Sequence, residues 1–166
     1  MIMTKLYMKQ AVFSLRSRFT VKDESETDRY TVEGEFFTLG RKLHIYDMHG
    51  EEVALIHQKV FSFLPRFFVY VNGEKVAEIV KELSFLHPKY RIAGLDWEIS
   101  GDFWAHQYEI TSGPVPIVSV SKEWISWGDS YALEIAHPED TTLALAVVLA
   151  IDCVMDQQAV VASSSN

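Results

Sequence analysis

The sequence predicts a mainly β domain, a barrel or sandwich of roughly ten to twelve short strands, with one hydrophobic helix near its C-terminal end. Three observations predict it. Segment after segment alternates apolar and polar residues with β-branched and aromatic enrichment, the period of a half-buried strand. Turn-forming residues separate those segments at short intervals. One late stretch, Leu143 to Ile151, is nine consecutive apolar residues with no polar face.

The strands come first. Leu43 to Asp47, Val53 to Lys59, Phe67 to Val71, Tyr90 to Ile92, Gln107 to Ile110 and Tyr131 to Ile135 all carry the alternating pattern. Between them lie Asp47 to Gly50, Asn72-Gly73, Ser112 to Pro114 and Gly128-Asp129. Asn72-Gly73 is the strongest turn signal, because a two-residue hairpin turn of that kind needs positive φ twice.

A pattern recurs three times. Val53 to Lys59 leads to Phe61-Ser62-Phe63 and then Phe67; Val76 to Glu82 leads to Leu83-Ser84-Phe85 and then Tyr90; Ile117 to Glu123 leads to Ile125-Ser126-Trp127 and then Tyr131. Each copy reads as a strand, an apolar-Ser-aromatic corner and a returning strand opened by an aromatic. The corner aromatics are expected to plug the barrel end as core, with the serine bonding the turning backbone.

The helix follows Pro138-Glu139-Asp140-Thr141, which supplies acids for a helix start. With no polar face it must be wrapped on all sides. From Thr141 to Gln157 it would reach only about 25 Å, short of the roughly 20 apolar residues of a membrane span. Asp152 and Asp156 interrupt its far end, and no Lys or Arg flanks it. Asp152 is expected either at the barrel mouth or against an inward-facing cation. Residues 1–160 are read as one domain and 161–166 as a frayed tail.

Composition narrows the function classes. The chain of 166 residues is 48% apolar and carries a net charge of −8, unevenly spread. Lys5, Lys9, Arg16, Arg18 and Lys22 fall in an opening stretch without acids, whereas no Lys or Arg follows Lys122. Such an acidic chain is a poor general nucleic-acid binder, but the basic first segment could hold a compact anion. Arg16 and Arg18 would supply forked donors, with Lys5 and Lys9 on an adjoining strand. Affinity for a bulk anionic membrane is expected to be weak and salt-sensitive. The six histidines have no ligand spacing, and no nucleophile, zinc or phosphate-loop motif is present. Asp96 and Glu98, either side of Trp97, read as a solvated strand face. The lone Cys153 lies in an apolar run, so it reads as a small core residue in a reducing, cytoplasmic compartment.

Leu6 to Gln10 with Phe13 to Leu15, Phe19 to Asp23, Tyr30 to Phe37, Leu39 to Leu43 and the final helix resemble the LURP-one-related proteins. These are tubby-like, kin of phospholipid scramblases. The resemblance implies a closed antiparallel β-barrel of about twelve strands threaded by the helix, tubby-like in fold. Tubby domains bind phosphoinositides through basic side chains; scramblases add a membrane-inserting helix and a calcium segment, and no acidic calcium loop is found here. The expectation is a non-catalytic binding module with no metal and no cofactor. Its partner would be a protein or a small anionic ligand on the barrel surface, or else it is a scaffold acting through protein contacts alone. No nucleic acid and no membrane span are expected, with peripheral membrane contact left open.

Overall fold

The computed structural model describes residues 2–9, 18–35, 39–103, 105–125 and 128–164, with side chains at 129 and 157–164 left aside. Twelve strands form, the alternating segments and repeat strands among them: β1 (Thr4–Lys9), β2 (Phe19–Asp23), β3 (Asp28–Glu35), β4 (Lys42–Tyr46), β5 (Glu52–Gln58), β6 (Arg66–Val71), β7 (Glu74–Glu82), β8 (Lys89–Ala93), β9 (Glu98–Asp102), β10 (Gln107–Ser112), β11 (Val115–Ile125) and β12 (Gly128–Ile135). A 3-10 turn (Pro138–Asp140) leads into α1 (Thr141–Ser164).

All twelve strands belong to one antiparallel sheet in the order β8-β7-β6-β5-β4-β3-β2-β1-β12-β11-β10-β9. Pairing of β1 with β12, from Thr4 opposite Ile135 to Lys9 opposite Ser130, joins the two ends of the chain and curls the sheet round. β8 and β9 meet across the closing seam without a ladder between them. The barrel is therefore nearly closed.

Alternation decides what fills it. Leu6 and Met8, Tyr30 and Val32, Leu43 and Ile45, Phe67 and Val69, and Leu133 and Ile135 all turn inward and are buried. They surround α1, whose side chains from Ala144 to Val154 are buried without a gap. A helix apolar on every face is stable in water only inside such a sleeve. Its entry is set by Thr141, whose Oγ1 donates to the Pro138 carbonyl at 2.6 Å, and by contact between the Tyr30 and Thr142 hydroxyls at 3.2 Å. The helix continues past Gln157 to Ser164, through residues expected in a frayed tail.

Strict alternation of strand direction sorts the connections between two ends. Those entering odd-numbered strands are tight: Asn72 and Gly73, at φ 49° and 82°, make the β6–β7 turn as their sequence requires. Those leaving odd-numbered strands include the longer loops, and α1 emerges among them. We call these the tight-turn end and the long-loop end.

Candidate functional site

The corner aromatics do not plug the barrel. Phe61, Phe63 and Phe85 are 96%, 92% and 104% exposed, and Leu83, Leu86 and Leu39 stand out beside them. The residues that open the returning strands, Phe67, Tyr90 and Tyr131, are the buried ones. The reason is volume: α1 and those inward aromatics occupy the interior, so the corners are pushed outward. Ser84 does bond the turning backbone, its Oγ accepting from His87 N at 3.4 Å. Ser126 and Trp127 lie outside the described residues.

These apolar tips share the long-loop end. The β5–β6 loop is tied to the end of β7 there, Lys81 N donating to the Pro65 carbonyl at 3.1 Å. Beneath the first loop lies a cavity of about 520 Å³ lined by Gly40, Gln58 to Pro65 and Lys81. Its lining contains two lysines, Lys59 and Lys81, and no acid. Neither ammonium has a salt-bridge partner among the described residues. Gly40, at φ 92°, is required in this wall: a Cβ there would meet Val60 Cγ2 at 3.0 Å and the Gln58 carbonyl at 3.1 Å. Arg41 N donates to Gln58 Oε1 at 3.0 Å, holding the β3–β4 connection against the end of β5.

Just inside the same end, Asp152 projects from α1 into a group of buried polar side chains. Burial, and then repulsion from Asp156, pushes its carboxyl up to about 8, so it is protonated at neutral pH. His106 Nδ1 is 3.9 Å from its Oδ1. Burial, and then Lys122, pushes that imidazole down, so the two meet as neutral groups beyond hydrogen-bond range rather than as an ion pair. Tyr108 is buried, its hydroxyl without a hydrogen-bond partner among the described residues, and burial, with Asp152 and Tyr131 nearby, pushes it well up. Asp152 thus sits at the mouth, and the cation expected for it goes one turn further on: Arg41 Nη1 donates to Asp156 Oδ2 at 2.9 Å. Cys153, buried, has its thiol pushed up to about 12. No cluster able to hold a metal ion occurs among the described residues.

The basic segment is dispersed rather than gathered. Lys5 is clasped on the barrel wall by Glu123 at 3.0 Å and Glu134 at 3.1 Å. Burial lowers its pKa, but hydrogen bonds to Glu123, Glu134 and Tyr7 outweigh that and raise it. Lys9 ends β1 in the open, and Arg18 precedes β2, its Nε 3.4 Å from Glu33 Oε1. Arg16 lies outside the described residues. Asp96 accepts from Ser112 Oγ at 2.6 Å while Glu98 is exposed and Trp97 buried, the solvated face expected. Sequence reasoning missed Lys59 and Lys81; the signal available was their place at the ends of the first two repeat strands.

A twelve-stranded antiparallel sleeve closed on a hydrophobic helix, with its longer loops beside the helix exit, defines the class of protein. The chain belongs to the LURP-one-related family, whose model matches residues 4–152. It is 42% identical over 153 residues to the uncharacterized protein YxjI of Bacillus subtilis (strain 168), covering 92% of this chain and 94% of that one. The X-ray structure of an Arabidopsis thaliana protein superimposes with a TM-score of 0.64 over 92% of this chain and 91% of that chain, at 13% identity. That likeness establishes the fold alone.

Proposed function

We propose that this protein is a non-catalytic binding module, cytoplasmic, that recognises an anionic group at the long-loop end of its barrel. The observation that carries the reading is the cavity with two unpaired lysines and no acid, in a chain of net charge −8. A lysine without a counter-ion beside a concave surface is available to an incoming phosphate or carboxylate. Lys9, exposed where β1 ends, adds to the positive field of the same end, whereas Arg18 is paired with Glu33. Lys5 is held by two carboxylates and contributes to the wall instead. Under this end Asp152 is buried with its carboxyl pushed up, His106 has its imidazole pushed down, and Asp156 is paired with Arg41, which supports binding rather than proton-transfer chemistry.

Calorimetry with inositol hexakisphosphate, at low and at physiological salt, tests it. Binding is expected, weakened about tenfold or more by Lys59→Ala with Lys81→Ala, while Lys5→Ala leaves affinity unchanged. A wild-type protein that binds no soluble or membrane-borne anion would leave the scaffold reading, protein contacts alone, in its place.

A further inference from the structure

We infer that the long-loop end docks on an anionic lipid surface, with the tips of the β5–β6 and β7–β8 loops entering the head-group layer. The inference rests on the binding-module reading and names the partner of that same site.

Phe61, Phe63 and Phe85 are almost wholly exposed, with Leu83 and Leu86 beside them. They stand as separate projections on two adjacent loops, not as a flat patch with a polar rim. A protein partner is best served by the latter; a bilayer interface accepts single apolar wedges with cations behind them. That is the arrangement here: Lys59 and Lys81 lie at the loop bases, behind the phenylalanines, at the level head-group phosphates would occupy.

Phe61 adds an independent argument. Its φ is 62°, a conformation that a bulky side chain adopts only at a cost and that glycine or asparagine adopts readily. Packing does not require an aromatic there, since the side chain touches water. A bulky apolar residue kept in a strained turn, facing solvent, points to a contact made outside the molecule.

Most acids of the C-terminal third whose side chains are described are paired, buried or placed away from this end. Glu123 and Glu134 are bound by Lys5, Asp152 is buried and protonated, and Asp156 is held by Arg41. Glu139 and Asp140 stand at the opposite end, where α1 begins. The acidic tight-turn end would face away from the bilayer.

Vesicles of phosphatidylglycerol with phosphatidylcholine, against vesicles of phosphatidylcholine alone, provide the test. An environment-sensitive fluorophore on Phe63→Cys should shift to the blue with the anionic vesicles only. The same label on Met48→Cys, at the tight-turn end, should not shift; Cys153 is buried and stays unlabelled. Phe61→Ser, Phe63→Ser and Phe85→Ser together should weaken co-sedimentation about tenfold or more without lowering the melting temperature. Phe61→Gly should weaken it too while melting no lower than wild type, a combination that a merely structural role cannot give. A triple variant that binds vesicles as wild type does, or a Phe63 label unshifted on vesicle-bound protein, overturns the insertion. Wild type that ignores vesicles but binds inositol hexakisphosphate overturns the lipid surface and keeps the anion site, which then serves a soluble or protein-borne anion. Binding to neither removes both readings.

Discussion

At the tight-turn end the acids have structural work; at the long-loop end the exposed apolar residues have none. Asp23 Oδ1 accepts from the Ser25 and Thr27 amides at 2.9 and 3.1 Å, and Asp47 Oδ1 accepts from His49 and Glu51 at 2.9 and 3.0 Å. Each carboxylate satisfies two turn amides that would otherwise rely on water, so those acids are explained by local folding. Phe61, Phe63 and Phe85, almost wholly exposed, have no such role among the described residues. The difference teaches where selection for folding stops: one end is accounted for by its own backbone, the other only by something outside.

The largest effect that would sharpen this comparison concerns what both ends share. Val148→Asp places an unpaired charge in the middle of α1 and should destabilise by about 4 kcal/mol or more, abolishing cooperative melting. Truncation after Asp140 should do the same. A truncated protein that stays monomeric and melts cooperatively would show that the sheet closes without its helix.

Next comes a pH effect confined to the long-loop end. Asp152 in the folded protein keeps its proton up to about pH 8, whereas an unfolded carboxyl loses it near the ordinary carboxylate value of 3.8. Across that window the native state binds more protons than the unfolded one, so stability falls as pH rises. Asp152→Asn removes the titration. The melting-temperature difference between variant and wild type should widen in the variant's favour from pH 5 to pH 9, by on the order of 5 °C. Parallel curves would break the assignment of a buried neutral acid.

The smallest effect sets one turn against another. Gly73 at φ 82° has open space around its Cα, so Gly73→Ala costs only backbone strain, about 1 kcal/mol. Urea melts should place it below wild type, whereas Phe61→Gly, the opposite exchange at the other end, should lie level with or above it. Equal losses for both would mean that Phe61 contributes to folding after all.

Much of the wall was legible because each strand meets water on one face and α1 on the other, and alternation records that directly. Asn72-Gly73 and the apolar run of α1 were legible for equally local reasons. The corners were not. Phe61 and Phe67 look alike in composition, and what separates them is whether volume remains inside a barrel already filled by a helix. Charge partners were hidden for a related reason: Lys5 meets Glu123 and Glu134, and Arg41 meets Asp156, only after curling brings distant strands and the helix together. Asp152 was visibly odd from its apolar neighbours, but its companions His106 and Tyr108 come from another part of the chain.

Since α1 follows every strand in the chain, the filling of the sleeve is synthesised after the sleeve. β1 likewise waits for β12, at the far end of the domain, to become its neighbour. On the ribosome the earlier hairpins therefore emerge with their inward faces, Phe67 and Ile79 among them, open to water and to one another. Maturation must be late and abrupt: a curled but empty sheet gains its interior in one event, when the final helix arrives. A pulse of synthesis followed by protease challenge should find nascent chains uniformly digestible until α1 has cleared the exit tunnel, and resistant soon after.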